Sequence, residues 1–525
     1  MSSTQQGIFR PASQAPARTG RGFVYIATIV FCSLLLAVLH LELLSSAKQQ
    51  GVCCFDDASF AVLSKNVAAG EGYLLTLDYG NADHSGIQFH PALGTGPTTI
   101  LVGAAAIALV GPTDWAPGVA TIVFNAALLA TLLVVLSGRV GLARATCYVT
   151  VLMFSSVLAT LNHHEQWYAL LGEVQSFLLT IVAYALIAYG KRSTWTLFIA
   201  GAMLGLAFLA KELAILYTLP VAVLMLAKSL RNGSCKIGQR IKKSLLPLLI
   251  VAIGASLPVI LFELYRMHSL GAQGWILNWK MHIEFIRSQG LAQQDQAFAV
   301  QFAERIHLFS ARFEIGFAAT VVVAVVGVIS TLALSKDGYA KRFAILIGGA
   351  WALHAAYWLF MSVGWPRYAF LSVPFAIAAA SIPILHVPRR GLVAAQWALP
   401  AFLLAAFVQP ARHYVVDVLY PTLSIAAGKS KPAPDPKAEL REFLIHRQGV
   451  LYAPWWAHVA SMEYLLPGKA HFTAVTASST DEGLLLIDEK LTLPETADFT
   501  KLQRRCKPFR SIGNRYRLEE CIAAE

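Results

Sequence analysis

Residues 193–230 read STWTLFIAGAMLGLAFLAKELAILYTLPVAVLMLAKSL, two apolar runs that are separated by one pair of charged residues. Each run has about 17 residues, which is the shortest length at which a helix crosses the hydrocarbon core of a membrane. Lys211 and Glu212 stand between the runs and mark a turn at the membrane surface. The stretch therefore predicts a pair of transmembrane helices joined by a tight turn.

The same kind of apolar run recurs along the whole chain. Of the 525 residues, 56% are hydrophobic and 14% are charged, and the mean hydropathy is +0.57, whereas soluble domains carry about 25% charged residues. This composition excludes a soluble multidomain protein and predicts an α-helical polytopic membrane protein with about 11–13 transmembrane helices. The other runs occupy residues 23–44, 117–137, 142–160, 171–190, 244–264, 315–335, 343–362, 369–386 and 391–409.

Basic residues mark one side of the membrane. If the runs alternate, eighteen Lys and Arg residues and a single acid, Asp337, flank them on this side. Cytoplasmic loops collect Lys and Arg, so the net charge of +12 reflects topology and does not point to a nucleic-acid partner. The alternation requires that run 97–111 does not cross. It has about 15 residues, fewer than a spanning helix needs, and we interpret it as an external or re-entrant helix.

These assignments divide the chain into segments. Residues 1–21 are a disordered cytoplasmic tail, and residues 22–410 are a transmembrane domain of eleven crossings with external loops 45–116 and 267–314. Residues 411–436 are a linker that ends in a Pro-rich stretch, and residues 437–525 predict a small extracytoplasmic α/β domain. Cys506 and Cys521 lie in that domain, where an oxidising compartment permits a disulfide.

Acidic residues concentrate in the predicted outer loops. Asp56 and Asp57 precede a helical stretch at 58–68, and Glu173 begins an otherwise uncharged helix. Carboxylates at helix starts are favoured by the helix dipole, so a structural role is one interpretation. The other is a general base at the membrane surface with a second acid that positions it. His163 and His164 are neighbours and would not share a helix face, so we predict no metal site from them.

Two cations stand at the same surface. Lys211 lies in the turn of the first hairpin, and Arg367 lies between aromatic residues in the short loop Gly364-Trp365-Pro366-Arg367-Tyr368. Both suit a lipid phosphate, since Arg binds phosphate oxygens in a bidentate fashion. They also suit an exposed turn pair and an interfacial aromatic anchor. The aromatics of loop 267–314, such as Trp275 and Trp279, fit sugar stacking and the membrane interface equally well.

Four blocks together resemble the GT-C superfamily of glycosyltransferases, and most closely the bacterial family-39 type. That group includes the lipid A aminoarabinose transferase and the protein O-mannosyltransferases. The first block is Asp56-Asp57-Ala-Ser-Phe-Ala, then Gly70-Glu-Gly-Tyr73 and His90-Pro91-Ala-Leu, where His90 replaces the first residue of the family's Pro-Pro-Leu. The later blocks follow in the family's order: Leu171-Gly-Glu173, Gly205-Leu-Ala-Phe-Leu-Ala-Lys211 and Arg367-Tyr368-Ala-Phe-Leu-Ser-Val-Pro374.

The resemblance implies an enzyme of the bacterial inner membrane, with a cytoplasmic N-terminus, that moves a sugar from a polyprenyl-phosphate donor to a lipid, glycan or protein acceptor. It implies that Asp56, Asp57 and Glu173 are catalytic, that Lys211 and Arg367 bind donor phosphate, and that His90 and Tyr368 bind substrate. No cofactor is expected, although the three carboxylates could hold a divalent metal.

Two other functions fit a polytopic membrane protein. A secondary transporter, such as a flippase for a lipid-linked sugar, would carry charges near the middle of its helices and internal repeats, and the sequence has few such charges and no repeat that we detect. A membrane scaffold would only present residues 410–525. No Walker motif or Gly-rich phosphate loop stands on the cytoplasmic side, which disfavours an ATP-driven pump.

Overall fold

The computed structural model describes residues 19–52, 55–76, 86–191, 193–231, 237–291, 298–386, 408–428, 436–453, 464, 470–474, 482–489 and 497–523, except for residues 92, 94, 363 and 448. The helices are α1 (Thr19–Gln50), α2 (Phe55–Ala68), α3 (Pro97–Val110), α4 (Ala116–Val140), α5 (Leu142–Ala159), α6 (Glu173–Tyr189), α7 (Thr194–Ala210), α8 (Thr218–Arg231), α9 (Ile237–Leu291), α10 (Phe298–Arg312), α11 (Phe317–Leu334), α12 (Gly338–Phe360), α13 (Pro366–Ala369), α14 (Ser372–Ser381), α15 (Val408–His413), α16 (Tyr420–Ala426), α17 (Pro436–Leu444) and α18 (Ala497–Gln503). Three 3₁₀ segments, Leu161–Trp167, Glu212–Tyr217 and Ile382–Leu385, follow α5, α7 and α14, and a π-helical segment, Tyr414–Leu419, follows α15.

The membrane character predicted from composition is confirmed. In the described part of the chain, seven helices are long and apolar enough to cross a membrane: Phe23–Gln50, Ala116–Val140, Leu142–Ala159, Leu245–Arg287, Phe317–Leu334, Gly338–Phe360 and Pro366–Leu385. Shorter apolar helices cover Pro97–Val110, Glu173–Tyr189, Thr194–Ala210 and Glu212–Ala227. Every predicted run up to 369–386 therefore falls on an apolar helix. Residues 1–18 of the predicted tail 1–21, residues 391–407 of the last run and the Pro-rich end of the linker lie outside the described residues, whereas residues 19–21 of the tail are helical and begin α1.

The length and contacts of the short helix α3 bear on whether it crosses the membrane. It has 14 residues and is about 21 Å long, less than the roughly 30 Å of a bilayer core. Asp57, which precedes α3, accepts a 2.7 Å hydrogen bond from the backbone N–H of Leu170, which follows α5. Because α4 and α5 can each span, these two residues share one side only if α3 does not cross. This geometry agrees with an external or re-entrant α3.

Helices α7 and α9 approach each other through glycine residues. A Cβ atom at Gly205 of α7 would lie 2.2 Å from the carbonyl oxygen of Ala255 on α9, and one at Gly254 of α9 would lie 2.2 Å from the carbonyl oxygen of Phe198 on α7. Small residues let membrane helices pack backbone to backbone. This contact holds the long helix α9 against α7, the helix that ends at the Lys211 turn.

The described part of loop 267–314 is helical. Helix α9 continues beyond residue 264 to Leu291, with a break at Gly271, whose φ of 68° interrupts the helical backbone. Helix α10 follows after residue 298. A left-handed φ costs little at glycine because it has no Cβ atom. The break lets the second half of α9 fold back over the end of its first half, where residues 263 and 279 are in contact.

Residues beyond 436 contain a mixed five-stranded sheet, which confirms the α/β character predicted for this region. The strands are β3 (Gly449–Ala453), β4 (Ala470–Ala474), β5 (Gly483–Asp488), β6 (Cys506–Ile512) and β7 (Tyr516–Cys521), in the order β4-β3-β5-β7-β6. A separate pair, β1 (Leu74–Leu75) and β2 (Ile87–Gln88), forms a small hairpin in the first loop. Cys506 and Cys521 face each other across β6 and β7 and form a disulfide.

Candidate active site

The two neighbouring aspartates contact different parts of the molecule. Both lie in the first turn of α2, and adjacent side chains on a helix point about 100° apart. Asp57 is 3% exposed and accepts the hydrogen bond from the N–H of Leu170. Asp56 is more exposed and forms an ion pair in which Nη1 of Arg367 donates to Oδ2 of Asp56. Asp57 therefore anchors the segment before α6, while Asp56 faces Arg367.

Arg367 reaches Asp56 from the short loop after α12. Its guanidinium carbon lies 5.2 Å from the ring centre of Trp365 and 5.1 Å from that of Tyr368, and Nη2 donates to the Tyr368 hydroxyl at 3.3 Å. Stacking on aromatic rings orients a guanidinium without removing its charge. Two of the residues selected from the sequence, Arg367 and Tyr368, thus lie together beside a third, Asp56.

Arg305 of α10 holds the loop that carries Arg367. Its Nη1 donates to the carbonyl of Trp358 at 3.0 Å, and its Nη2 donates to the carbonyl of Ser362 at 2.7 Å. These carbonyls stand at the end of α12, where the helical N–H ladder stops. The sequence places Arg305 in loop 267–314 without a role, and the structure makes it a positioning residue for the Arg367 loop.

Glu173 and Lys211 form a second ion pair. Glu173 begins α6 and is 5% exposed, and its Oε1 lies 2.8 Å from Nζ of Lys211. Lys211 also donates to the carbonyl of Leu171 at 3.2 Å. A carboxylate this deeply buried is strongly destabilising without such a partner. The Glu173 carboxylate also interacts electrostatically with Arg367. We call Asp56, Glu173, Lys211, Arg367 and Tyr368 the Asp56 cluster.

Two glycines bring the backbone close around Lys211. A Cβ atom at Gly172 would lie 2.2 Å from the carbonyl oxygen of Ala210, and one at Gly96 would lie 2.2 Å from that of Leu209. Gly172 also has a φ of 87°, a conformation that other residues rarely adopt. The first loop, the start of α6 and the end of α7 are therefore in direct backbone contact at the Asp56 cluster.

Two buried polar atoms of the Asp56 cluster have no hydrogen-bond partner among the described residues. They are Nε of Arg367 and Oε2 of Glu173. Such an atom costs about 1–3 kcal/mol if nothing satisfies it, so the cluster is suited to a polar ligand. Its carboxylates can accept a proton, and its cations can stabilise an anion.

The carboxylates that could hold a divalent metal are engaged with other groups. Asp56 binds Arg367, Glu173 binds Lys211, and Asp57 accepts a backbone N–H. Within the residues that the structure describes, no group of three or more His, Cys, Asp or Glu side chains is arranged to bind a metal ion.

His90 does not join the Asp56 cluster. It lines a separate cavity, which we call the His90 cavity, whose walls also include Tyr73, Phe89, Glu212, Glu263, Arg266, Trp279 and His282. Burial lowers the pKa of His90, so its ring is neutral at pH 7. Glu263 and Arg266 were not selected from the sequence. Their position could have identified them, because they are charged residues at the end of the apolar run 244–264.

A third buried polar cluster surrounds Glu42 of α1. Glu42 is fully buried and accepts hydrogen bonds from the hydroxyls of Ser46 and Tyr414, each at 2.6 Å. Nε2 of His164 lies 3.2 Å from Oε2 of Glu42, the same oxygen that accepts the hydrogen bond from Tyr414. Glu42 was not selected from the sequence, although a carboxylate inside an apolar run is a signal in itself. Its contacts tie α1 to the segment after α5 and to the segment after α15.

Comparison with known proteins identifies the fold. No protein-family model matches the chain, and no curated protein sequence does. The structure is similar to that of ArnT from Cupriavidus metallidurans bound to undecaprenyl phosphate, with a TM-score of 0.54 and 12% identity over 97% of this chain and 99% of that one. It is also similar to the oligosaccharyltransferase of Archaeoglobus fulgidus in the apo form, with a TM-score of 0.50 and 10% identity over 90% of this chain and 70% of that one. The chain therefore has the GT-C fold, as its sequence blocks predicted.

Proposed function

We propose that this chain, a GT-C protein, is an integral membrane glycosyltransferase that moves a sugar from a polyprenyl-phosphate donor to an acceptor hydroxyl on a lipid, glycan or protein. The observation that carries the proposal is the Asp56 cluster, where a partly exposed carboxylate and two cations surround polar atoms that have no partner among the described residues. ArnT, which has the same fold, was solved with undecaprenyl phosphate bound.

In the proposed reaction, Asp56 acts as the general base. Its carboxylate takes the proton of the acceptor hydroxyl while the hydroxyl oxygen forms a bond to C1 of the donor sugar. The bond between C1 and the phosphate oxygen breaks, and polyprenyl phosphate leaves with the electron pair. A single displacement of this kind inverts the configuration at C1, and the sugar transferred is a hexose or a pentose.

The cations stabilise the leaving group. Arg367 uses Nη1 on Asp56 and Nη2 on Tyr368, which leaves Nε for a phosphate oxygen. Lys211 adds a second positive charge where negative charge develops. Glu173 holds Lys211 and orients the acceptor through Oε2, and Asp57 positions the base by fixing α2 against Leu170. Such charge stabilisation requires no metal.

We further propose that the enzyme lies in a bacterial inner membrane with its N-terminus in the cytoplasm and the Asp56 cluster and residues 437–525 outside. Contacts between segments that the charge pattern places outside support this orientation. Asp56 of the first loop contacts Arg367, Glu173 contacts Lys211, and Glu212 contacts His282. A lipid-linked donor fits this side, where nucleotide sugars are not available.

The Asp56→Asn variant tests the reaction. An amide cannot take the acceptor proton, so transfer should fall by at least about a hundredfold, as expected for loss of a general base. The measurement is the formation of glycosylated product by purified full-length protein in detergent with a polyprenyl-phosphate sugar. The control is Asp417→Asn, because Asp417 is largely exposed and outside the cluster.

Near-normal turnover by Asp56→Asn would contradict the proposal. So would movement of the lipid-linked sugar across a membrane by the wild-type protein without any new glycosidic bond, which is the result that a flippase gives. Unchanged melting temperatures for both variants would assign the loss to chemistry and not to misfolding.

A further inference from the structure

The His90 cavity lies next to the Asp56 cluster and is built from distant parts of the chain. Its walls come from the first loop, from the turn after α7 and from both halves of α9. The turn after α7 connects it to the Asp56 cluster, because Lys211 binds Glu173 at 2.8 Å while the next residue, Glu212, binds His282 at 2.9 Å. A ligand in the cavity would therefore lie beside the reacting groups.

Glu263 and Arg266 form the first charge pair of the cavity. Nη1 of Arg266 lies 3.3 Å from Oε1 of Glu263, and Nη2 donates to Oδ1 of Asn278. Oε2 of Glu263 accepts hydrogen bonds from the indole N–H groups of Trp275 at 2.6 Å and Trp279 at 2.8 Å. Arg266 is 8% exposed, and its Nε has no partner among the described residues. That buried N–H group is left for an acceptor that a ligand supplies.

Glu212 and His282 form the second charge pair. Nδ1 of His282 lies 2.6 Å from the carbonyl oxygen of Pro91, and Nε2 lies 2.9 Å from Oε1 of Glu212. A carbonyl and a carboxylate only accept hydrogen bonds, so His282 makes both bonds only with a proton on each nitrogen. The resulting imidazolium balances the charge of Glu212.

The described residues that line the cavity therefore make it polar without giving it a net charge. Two carboxylates are balanced by two cations, and His90 is neutral because burial lowers its pKa. An anionic ligand would meet Glu212 and Glu263, and a cationic ligand would meet Arg266 and the His282 imidazolium. An acyl chain would leave Nε of Arg266 buried without an acceptor, at a cost.

Aromatic rings complete the walls. The Tyr73 and Phe89 rings are stacked at 5.2 Å, and the Arg266 guanidinium packs 4.9 Å from the ring centre of Trp279. Aromatic rings supply apolar contact area, and a few polar groups fix the orientation of a bound molecule.

We propose that the His90 cavity binds an uncharged sugar ring, with a sugar oxygen accepting from Nε of Arg266 and a sugar hydroxyl donating to Glu212. This inference rests on the proposed function and names the class of sugar that the enzyme recognises. The ring belongs either to the lipid-linked donor or to a glycan acceptor, since both carry the same hydroxyl chemistry.

Binding of free glycosides to the full-length protein in nanodiscs tests the inference. The probes are the methyl glycosides of glucose, mannose, galactose and xylose, with the uronic-acid and 2-amino forms of the three hexoses, measured by saturation-transfer NMR. The uncharged form of the bound sugar should bind at least about tenfold more tightly than its charged forms, because polar sites discriminate strongly against mismatched groups. Equal or tighter binding of a charged form, or no binding of any uncharged form, would overturn the inference.

Charge variants sharpen the test. Arg266→Met leaves a surplus negative charge and should shift the preference toward amino sugars, whereas Glu263→Gln leaves the charge of Arg266 unbalanced and should shift it toward uronic acids. Trp195→Phe is the matched control, because Trp195 is 73% exposed on α7 and should keep the wild-type preference. If the charge variants fail to fold, Trp279→Phe keeps an aromatic ring in the wall and removes the indole N–H bond to Glu263, and it should bind the uncharged sugar several-fold more weakly. Shifts in the same direction for both charge variants, or an unaffected Trp279→Phe, would contradict the inference.

The Asp56→Asn variant separates this inference from the proposed function. It should bind the uncharged glycoside as the wild type does, although its transfer rate falls by at least about a hundredfold. Transfer by a wild-type protein whose cavity binds no sugar would overturn the inference alone. Binding of sugar by a wild-type protein that shows no transfer would overturn the proposed function alone.

The KM values of the active enzyme identify which sugar the cavity holds. Trp279→Phe should raise KM for the donor if the cavity holds the donor sugar and KM for the acceptor if it holds the acceptor sugar. No change in either KM would overturn the assignment.

Discussion

At the residue scale, two identical side chains next to each other in sequence have different surroundings. Asp57 is buried and engaged with a backbone N–H, whereas Asp56 is partly exposed and engaged with the side chain of Arg367. A carboxylate that accepts a backbone hydrogen bond needs its oxygen and not its charge, while a general base needs its basicity. The family resemblance groups the two as catalytic, and we propose that Asp57 acts through Asp56.

Substitution of Asp57 should separate these roles. Asp57→Asn keeps an oxygen that can accept the Leu170 N–H and should retain most of the transfer activity. Asp57→Ala leaves that N–H buried without a partner, at a cost of about 1–3 kcal/mol, and should lower both the melting temperature and the transfer rate. The checks are product formation and thermal unfolding in detergent. Complete inactivity of Asp57→Asn at a normal melting temperature would show instead that the Asp57 charge takes part in the chemistry.

At the element scale, contact between α7 and α9 places the Lys211 turn beside the charged residues of α9 that line the His90 cavity. Helix α7 ends at the Lys211 turn, and α9 carries Glu263, Arg266 and, beyond its break, His282. Glycines at the crossing let the helices touch along their backbones. Any side chain there would increase the distance between the helices, and with it the distance between Glu212 and His282.

Gly205→Ala tests this contact. The added methyl group would overlap the carbonyl of Ala255, and overpacking of this kind costs about 1–3 kcal/mol. A lower melting temperature is expected. Gly138→Ala in α4 is the control, since a Cβ atom there meets nothing within 4 Å and Ala favours helix more than Gly does. Equal effects of the two substitutions would argue against a specific role for the glycine contact.

At the scale of the whole molecule, the C-terminal region is fastened to the segment that carries Asp56. Nζ of Lys437 donates to the carbonyls of Val52 at 2.7 Å and Gln50 at 3.1 Å, and the Tyr464 hydroxyl donates to the carbonyl of Thr113 at 2.7 Å. These acceptors lie at the end of α1 and in the loop before α4. The C-terminal region therefore supports the backbone just before α2 in addition to forming its own sheet.

Lys437→Met should loosen this attachment. The buried carbonyls would lose a charged donor, a kind of bond that contributes about 1.5–3 kcal/mol. Hydrogen exchange should become faster in α17 and in the amides around Val52, and the transfer rate should fall. Lys501→Met is the control, because Lys501 is exposed on α18. If both variants exchange like the wild type, the attachment does not depend on Lys437.

The sequence by itself determined the helical membrane fold and the order of its apolar helices. Hydropathy and charge act over segments of about one helix length, so a run such as 193–230 is sufficient to predict two helices and the turn at Lys211. The blocks around Asp56, Glu173, Lys211 and Arg367 also identified the GT-C fold correctly.

Only the tertiary structure decided which of these residues are partners. Asp56 and Arg367 are 311 positions apart, and no local pattern specifies that α2 and the loop after α12 are neighbours. The same holds for His90, which lies outside the Asp56 cluster and lines the His90 cavity together with Glu263 and Arg266. The physical reason is that apolar helices are interchangeable to the membrane, so their arrangement depends on close contacts such as Gly205 against Ala255 and on paired buried charges.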